Sequence, residues 1–441
     1  MTNAKTAVLP NTPPVELTGR KPGRRLADII TMLAMTLLAI GIVMVYSSSS
    51  IRMELKTADA TLYLRRQILW AILAACTFLI ARSTDVSSLR KWAWPIAILT
   101  GLLLIVVLIP GISRDIKGAR RWLRFGGMNV QPSEIAKISL VLLLARVLEL
   151  KRDKLDSFKH GFVPCFAPVA VIAGLVVIEP DFGSGLLLTA LGISMIFVAG
   201  ARWRHLFSLS VPGVLAIAVL IMVKGAHVRA RLAAFFDPDS DPNGTSYQQI
   251  QALIALGSGG VFGTGLGASR QKRLFLPDVH TDFIFALVGE ELGFVGTALV
   301  VCLFAALIIF AFKAAFRARD RYSFLVGFGL TLVLGMQATI NMLVATGSMP
   351  PKGIALPMIS FGGSSLCITA AALGMIVNIA LNGRPHAPLE TSDDAARGEL
   401  GKSEDLLDGD ETITGFDIPA DLAFDDNTAD KTAVTAAEGL S

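Results

Sequence analysis

Long apolar runs separated by short polar segments make up most of the chain as far as residue 382. Most of these runs reach about 18 residues, the length that predicts a membrane-spanning helix. They are rich in Leu, Ile, Val and Ala and do not alternate with polar residues, which argues against a transmembrane β-barrel. We therefore predict an all-α polytopic membrane protein with ten transmembrane helices, near residues 27–47, 67–82, 92–110, 135–150, 162–179, 184–200, 206–224, 283–314, 324–345 and 364–381.

The longest connection between predicted helices joins the seventh to the eighth, at about residues 225–281. Connections of this length are uncommon unless they are functional or disordered. Tyr247, Ile250 and Leu253 recur at helical spacing ahead of a glycine-rich stretch, which predicts a short amphipathic or re-entrant helix. We expect a large folded loop on the outer face of the membrane.

Basic residues lie on both predicted faces of the membrane. An even number of spans places both termini on one side, together with the Lys/Arg-rich loops 83–91, 151–161, 201–205 and 315–323, so the positive-inside rule makes that side cytoplasmic. The outer face nevertheless carries Arg120, Arg121, Lys272 and Lys352 among other cations. Either long outer loops escape the rule, or these residues bind an anionic ligand such as phosphate.

Composition supports the membrane assignment, since 53% of the 441 residues are hydrophobic and 17% are charged. The four cysteines all lie in apolar runs, which excludes a disulfide scaffold and a zinc site. Residues 385–441 hold 15 acidic residues against 3 basic ones. We expect a disordered basic cytoplasmic tail at 1–25, a membrane domain at 26–383 and a disordered acidic cytoplasmic tail at 384–441. An extracytoplasmic site and an acidic tail argue against a nucleic-acid partner.

A polar loop runs into the eighth predicted helix at Asp282, which is the strongest candidate for a catalytic residue. The alternative is that Thr281 or Asp282 only forms the N-cap of that helix. Glu290 and Glu291 follow about two turns later, roughly 12 Å along the axis, so neither can share a proton with Asp282. Carboxylates at membrane depth are costly, so these two are expected to be structural, with polar groups opposite them.

Three further polar segments lie at the same predicted face. In Gln131-Pro132-Ser133-Glu134, followed by Lys137, either an ion pair or a ligand contact suits Glu134 and Lys137. Asp181 follows the fifth predicted helix and either caps the next helix or belongs to the site. The Gly/Ser-rich segment with Ser360 and Ser364 is either an anion-binding nest or a plain turn. The sequence has no P-loop, serine-hydrolase elbow or His/Cys metal cluster.

Several motifs in the right order together resemble the SEDS family, which polymerises peptidoglycan in the bacterial cytoplasmic membrane. The motifs are Gln131-Pro132-Ser133-Glu134, Pro180-Asp181-Phe182-Gly183, His280-Thr281-Asp282-Phe283 with Glu290-Glu291-Leu292-Gly293, and Ser360-Phe361-Gly362-Gly363-Ser364-Ser365. The resemblance covers residues 25–382. Val45-Tyr46-Ser47-Ser48-Ser49 and the long tails resemble the division branch of the family more than the elongation branch. Glu179 departs from the family, in which Gln is common at this position.

The resemblance implies an inverting glycosyltransferase that polymerises lipid II during septal wall synthesis, with Asp282 as general base. It also implies a single-span penicillin-binding transpeptidase and other division proteins as partners, and a place in the inner membrane at the division septum. The residues expected to bind substrate are Arg120, Arg121, Trp122, Gln131, Glu134, Lys137, Asp181, Lys272, His280, Lys352, Ser360 and Ser364.

The sequence leaves open whether a divalent metal such as Mg²⁺ or Mn²⁺ assists the reaction, and no organic cofactor is expected. Two other functions also stay open: a flippase that moves lipid II across the bilayer, and a scaffold that only recruits the transpeptidase.

Overall fold

The computed structural model describes residues 22–57, 59–110, 113–116, 119–125, 128–224, 226–237, 244, 246–269 and 281–383. The described residues form twelve α-helices and one small sheet, apart from short turns of other helix types. In chain order the elements are α1 Pro22–Thr57, α2 Leu62–Ser83, α3 Ala93–Leu108, β1 Ser113–Ile116, β2 Ala119–Phe125, β3 Met128–Val130, α4 Pro132–Leu150, α5 Val163–Ile178, α6 Phe182–Val198, α7 Trp203–Lys224, α8 Ala226–Phe236, α9 Tyr247–Ser258, α10 Ile284–Phe316, α11 Arg321–Ala345 and α12 Gly363–Asn382.

Each of the ten predicted spans coincides with one of the helices α1–α7 or α10–α12. Six helices of the described chain are long and apolar enough to cross a membrane, and α3 and α6 are shorter apolar helices. The prediction of a helical multi-pass membrane protein is confirmed, whereas the number of ten spans stays a prediction. Helix α1 begins at Pro22, ahead of the expected domain boundary at residue 26. Residues 1–21 and 384–441, which include most of both expected tails, lie outside the described residues.

The all-α expectation left out a three-stranded antiparallel sheet between α3 and α4, in the order β1-β2-β3. Leu123 of β2 pairs with Ser113 on one side and Val130 on the other, and it is 3% exposed. The strands have three to seven residues, and β2 alone holds three Arg. Such short, charged strands lack the apolar alternation by which a strand is recognised in a sequence.

Helices α5 and α6 pack closely, and this contact fixes the turn between them. A Cβ on Gly192 of α6 would collide with Val169 of α5, and one on Gly185 would collide with Val177. Small residues on one helix let two backbones approach closely in a membrane protein. Elsewhere α12 packs along α2, α10 lies beside α11, and α1 contacts both α10 and α12. The bundle therefore holds the α5–α6 turn in one position at its end.

Polar contacts gather one set of inter-helix loops at the opposite end of the bundle. Arg90 lies 3.1 Å from the Glu149 carboxylate and 3.3 Å from that of Asp320. Arg202 pairs with Asp156 at 2.8 Å, joining the α6–α7 and α4–α5 connections. These contacts lie in or beside the loops that the charge pattern grouped on the cytoplasmic side. The grouping is confirmed, and the side on which these loops face stays a prediction.

Helix α10 is broken at Gly293, which adopts φ 69° and ψ −164° inside the 33-residue element. Only glycine populates this backbone region freely. A Cβ at this position would also meet the backbone of Val261 and Gly263. The glycine-rich segment after α9, residues 259–267, therefore packs directly into the break.

Backbone hydrogen bonds between residues 259–267 and α10 replace helical bonds at the break. The N–H groups of Phe294 and Val295 donate to the carbonyls of Gly260 and Val261 at 2.9 and 3.1 Å, and those of Thr264 and Gly265 donate to the carbonyls of Glu290 and Glu291 at 2.9 and 3.1 Å. Helix α9 matches the short helix expected in the 225–281 loop. Helix α9 and residues 259–267 of that loop are thus folded against α10.

Candidate functional site

Arg121 of β2 holds the turn between α5 and α6. Its Nε donates to the carbonyl of Glu179 at 3.3 Å, its Nη2 donates to the carbonyl of Pro180, and its Nη1 lies 3.6 Å from Oδ1 of Asp181. The Arg121 side chain is 30% exposed. One cation thus joins the small sheet to the turn and still reaches solvent.

Asp181 is the centre of a polar cluster at this turn. Its Oδ1 accepts the backbone N–H of Ser184 at 3.2 Å, so the predicted cap of the next helix is confirmed. Its Oδ2 accepts from the Gln131 amide at 3.2 Å and from the Ser133 hydroxyl at 3.4 Å. The structure therefore brings Asp181, Gln131 and Arg121 together, three of the residues expected to bind substrate.

Asp282 precedes α10 without capping it. The helix begins at Ile284, its N-cap position is Phe283, and no side chain caps it, so the N-cap interpretation of Thr281 or Asp282 is wrong. The Asp282 carboxylate lies against the chain at Gly353, where an added Cβ would be 3.3 Å from Oδ2. The backbone carbonyl of Asp282 accepts the Asn341 amide at 2.9 Å. The geometry therefore sets the Asp282 carboxylate beside the α11–α12 loop.

Lys352 lies near both the α5–α6 turn and the segment that carries Asp282. It is the chain neighbour of Gly353, and its Cδ lies 3.7 Å from a Cβ built on Gly183, two residues after Asp181. Burial lowers the pKa of the Lys352 ammonium from its ordinary value. Lys352 is thus half-buried in the α11–α12 loop, with its side chain against the α5–α6 turn and its chain neighbour Gly353 against Asp282.

Arg231 of α8 belongs to the same charged region. Its side chain is exposed to solvent but desolvated by the residues around it, and its charge interacts with those of Arg121, Asp181 and Asp282. The outer-face charge pattern included such residues of the long loop, but no motif singled out Arg231. The site therefore combines at least three cations with two carboxylates, drawn from β2, the α5–α6 turn, α8, the start of α10 and the α11–α12 loop.

Glu134 and Lys137 form an ion pair at 2.6 Å in the first turns of α4. The Lys137 side chain is 3% exposed, so it does not extend toward the surface as the ligand interpretation required. The ion-pair interpretation is confirmed. A contact of either residue with substrate stays a prediction.

For the other residues expected to bind substrate, the structure gives only local positions, or they lie outside the described ranges. The Ser360 hydroxyl accepts the Leu356 N–H at 2.9 Å and closes a turn, Ser364 is buried in the first turn of α12, and Trp122 is half-buried on β2. Lys272 and His280 lie outside the described residues, as does the side chain of Arg120. The role of each of these residues in binding stays a prediction.

Glu290 and Glu291 are each 1% exposed and have the polar partners that their depth required. The Ser47 hydroxyl lies 2.6 and 2.7 Å from the two Glu291 oxygens, and the Ser269 hydroxyl donates to the Glu290 carboxylate. The prediction that polar groups face these acids is confirmed. They lie at the α10 break and link α1 and the 225–281 loop to α10.

Glu179 is fully buried beside the site, in the turn after α5. No hydrogen-bond partner for either carboxylate oxygen is found among the described residues. Burial, together with the neighbouring Asp181 charge, raises the pKa of this carboxyl to about 8, and Arg121 opposes the shift. Glu179 is therefore predominantly protonated at neutral pH, where it resembles the glutamine common at this position in the family that the motifs indicate.

The side chains of the site could bind a divalent cation only if the substrate supplied further oxygen ligands. Within the described ranges, no group of three or more His, Cys, Asp or Glu side chains comes together. The Asp181 oxygens are engaged by Arg121, Gln131, Ser133 and the Ser184 N–H. Asp282 could supply one carboxylate, and Mg²⁺ in proteins is commonly bound by one or two carboxylates plus substrate phosphates.

Comparison with known sequences places most of the chain in one group of proteins. Residues 27–384 match the sequence profile of the family of cell cycle proteins that comprises FtsW, RodA and SpoVE. A relative from Geobacter sp. (strain M18), named probable peptidoglycan glycosyltransferase FtsW, is 39% identical over 351 residues, which are 80% of this chain and 95% of the relative. Stage V sporulation protein E of Bacillus subtilis (strain 168) is 36% identical over 351 residues, covering 80% of this chain and 96% of that protein.

Solved structures agree with the sequence matches. A chain from a structure described as the structural coordination of polymerization and crosslinking by a peptidoglycan synthase complex aligns with a TM-score of 0.66 at 28% identity, covering 80% of this chain and 96% of that one. The crystal structure of the rod shape determining protein RodA of Thermus thermophilus aligns with a TM-score of 0.59 at 28% identity, covering 80% of this chain and 95% of that one. The arrangement of helices is therefore shared with these proteins.

Proposed function

The chain belongs to the FtsW, RodA and SpoVE family of cell cycle proteins, and from this premise we propose that it polymerises lipid II during septal wall synthesis, with Asp282 as general base. The protein is a peptidoglycan glycosyltransferase and a multi-pass membrane protein. The identity of the substrate, the residues that act on it and the division role are parts of the proposal.

The observation that carries the proposal is that the Asp282 carboxylate lies against Gly353, the chain neighbour of Lys352, and interacts electrostatically with Arg231. Lipid II carries a disaccharide-peptide on a pyrophosphate, so its polymerisation needs a base for an acceptor hydroxyl and cations for the leaving group. A carboxylate next to several cations supplies both.

The reaction follows from these roles. Asp282 takes the proton of the acceptor 4-hydroxyl as that oxygen forms a bond to the anomeric carbon of the donor, on the face opposite the pyrophosphate. The bond between the anomeric carbon and the pyrophosphate oxygen breaks, and the configuration is inverted. Lys352, Arg121 and Arg231 stabilise the negative charge that the leaving pyrophosphate gains.

A divalent cation would be held by the Asp282 carboxylate together with pyrophosphate oxygens, where it would neutralise leaving-group charge. The cation that we propose for this position is Mg²⁺ or Mn²⁺. The side chains of Lys352 and Arg121 perform the same neutralisation from the protein.

We also propose partners and a cellular location for the protein. A peptidoglycan strand must be cross-linked after it is made, which suits assembly with a single-span penicillin-binding transpeptidase and other division proteins. The charge pattern of the loops favours cytoplasmic termini in the bacterial inner membrane, and the resemblance to the division branch favours the septum.

A flippase for lipid II and a non-catalytic scaffold are the competing functions, and one reconstitution separates them. A flippase needs charged groups along a path through the membrane, whereas the cluster described here is built from turns and loops at one end of the helices. We expect the purified protein with a penicillin-binding transpeptidase to make glycan strands from lipid II in detergent, where there are no two sides to transport between. Absence of strands, with both proteins folded and associated, would refute the proposed polymerase chemistry on lipid II.

A further inference from the structure

Asn341 lies in the middle of the contacts that set the position of Asp282, although no motif marks it. It belongs to α11 and is 1% exposed. Its Nδ2 donates to the carbonyl of Asp282 at 2.9 Å and to the carbonyl of Ile354 at 2.8 Å. Both protons of one side-chain amide are thus used to join two separate chain segments.

The two segments are those that carry the candidate base and the neighbouring cation. The N–H of Ile354 donates to the carbonyl of Lys352 at 2.9 Å, which closes a tight turn around Gly353. That turn lies against the Asp282 carboxylate, as the 3.3 Å distance from a Cβ on Gly353 to Oδ2 shows. Fixing the Ile354 carbonyl therefore fixes the backbone that presents Lys352.

The start of α10 does not fix Asp282 by itself. The first helical hydrogen bonds of α10 are accepted by the carbonyl of Phe283, from the N–H groups of Ala286 and Leu287 at 3.0 and 3.3 Å. The Asp282 carbonyl lies outside that ladder and accepts from Asn341 instead. Through this hydrogen bond, the buried Asn341 of α11 helps to fix the position of Asp282 ahead of α10.

We propose that Asn341 is a positioning residue, which holds the Asp282 carboxylate and the Lys352 ammonium in one geometry toward the same bound substrate. This inference rests on the proposed function of Asp282. An amide suits the task because its two N–H groups diverge and can bind two carbonyls without adding a charge to a buried position. Displacement of a reacting group by about 1 Å can cost roughly 100-fold in rate.

The chain offers a matched control at the opposite end of the bundle. Asn378 of α12 is 5% exposed, and its Nδ2 donates to the carbonyl of Arg82 at 2.7 Å while its Oδ1 accepts the Val86 N–H at 3.3 Å. It is also a buried asparagine that joins a helix to backbone outside that helix. Asn378→Ala removes comparable structural contacts far from Asp282.

The test compares Asn341→Ala, Asn341→Ser and Asn378→Ala in the full-length protein with its transpeptidase, using lipid II polymerisation per inserted protein. We expect both Asn341 variants to lower kcat, the Ala variant by roughly 100-fold, while KM changes by less than about threefold. Asn378→Ala should change only the amount of folded protein. The Ser variant, which keeps one donor, provides the measurement if the Ala variant does not insert.

Measuring kcat in double variants distinguishes a positioning role of Asn341 from a purely structural one. If Asn341 acts through the geometry of Lys352, the double variant Asn341→Ala/Lys352→Ala should lose less kcat than the product of the two single losses. Double variants that combine Asn378→Ala with either of these substitutions should show the product of the single effects.

The inference is overturned if the Asn341 variants keep kcat within about threefold of wild type, or lose activity only in proportion to folded protein. Asp282→Asn is measured in parallel: activity in that variant would refute the proposed base, whereas an inactive Asp282→Asn with active Asn341 variants would refute only the positioning role.

Discussion

Nη1 of Arg121 lies 3.6 Å from Oδ1 of Asp181, and this ion pair joins the small sheet to the turn between α5 and α6. The sequence indicated both residues as substrate contacts without indicating that they touch each other. The pairing leaves about one-third of the Arg121 side chain exposed, at 30%, next to an Asp181 that is already engaged by Gln131 and Ser133. Arg121 is therefore held in place by the protein and remains accessible to an anion.

Arg121→Ala should weaken the use of substrate more than it lowers the amount of folded protein. Losing one charge-assisted hydrogen bond of about 1.5–3 kcal/mol predicts a rise in KM of roughly 10- to 100-fold. The measurement is polymerisation rate against lipid II concentration. Arg90→Ala is the matched control, because Arg90 is also paired with carboxylates and 32% exposed, at the opposite end of the bundle. An equal KM in the two variants would show that Arg121 is purely structural.

Asp282→Asn should lower kcat by roughly 100- to 10,000-fold, the usual contribution of a general base. The amide keeps the size of the side chain and removes its ability to accept a proton, and the helix cap is not at risk because Phe283 occupies the N-cap position. Membrane insertion and transpeptidase binding should be unchanged, which co-purification measures. Substantial polymerisation by this variant would exclude Asp282 as the base and leave it a structural residue of the α10 entry.

The sequence predicted the helices and most of the polar loops of this site, but not the contacts between them. Apolar length identifies a membrane helix locally, and motifs located Asp181 and Asp282 because each lies within two residues of the start of a helix. Asn341 could not be found this way, because its partners are carbonyls at Asp282 and Ile354 whose approach depends on how α11 packs. The break at Gly293 was also missed, since a single glycine in an apolar run looks the same whether the helix continues or not.

Glu179→Gln should make the protein more stable at alkaline pH. Burial raises the pKa of this carboxyl to about 8 in the folded protein, against an ordinary value of 4.5. Folding therefore favours the protonated form, and the stability that depends on the proton is complete below pH 4.5 and is lost as the pH rises through about 8. A glutamine cannot ionise, so it removes this loss.

The measurement is the thermal unfolding midpoint of the detergent-solubilised protein at pH 5 and pH 9. Wild type and Glu179→Gln should differ little at pH 5, and the variant should unfold several degrees higher at pH 9. Glu149→Gln is the contrasting variant, because Glu149 pairs with Arg90 and Arg146 and gains nothing from losing its charge. If the unfolding midpoints of wild type and Glu179→Gln change equally between pH 5 and pH 9, a group other than Glu179 is responsible for the pH dependence of stability.

Gly293→Ala should disrupt the contact between α10 and the glycine-rich segment 259–267. A non-glycine residue at φ 69° and ψ −164° is strained by about 1–3 kcal/mol, and here the new Cβ also meets the backbone of Val261 and Gly263. Because Glu290 and Glu291 lie just before the break, displacement of the segment would also disturb their contacts with Ser269 and Ser47. We expect a lower thermal unfolding midpoint and faster proteolysis within residues 259–267.

Gly174→Ala is the control. Gly174 lies inside α5 with nothing within 4 Å of an added Cβ, and alanine is preferred to glycine in a helix by about 0.5–1 kcal/mol. If Gly293→Ala unfolds at the same temperature as Gly174→Ala, α10 does not require the break, and the segment after α9 is not held by it.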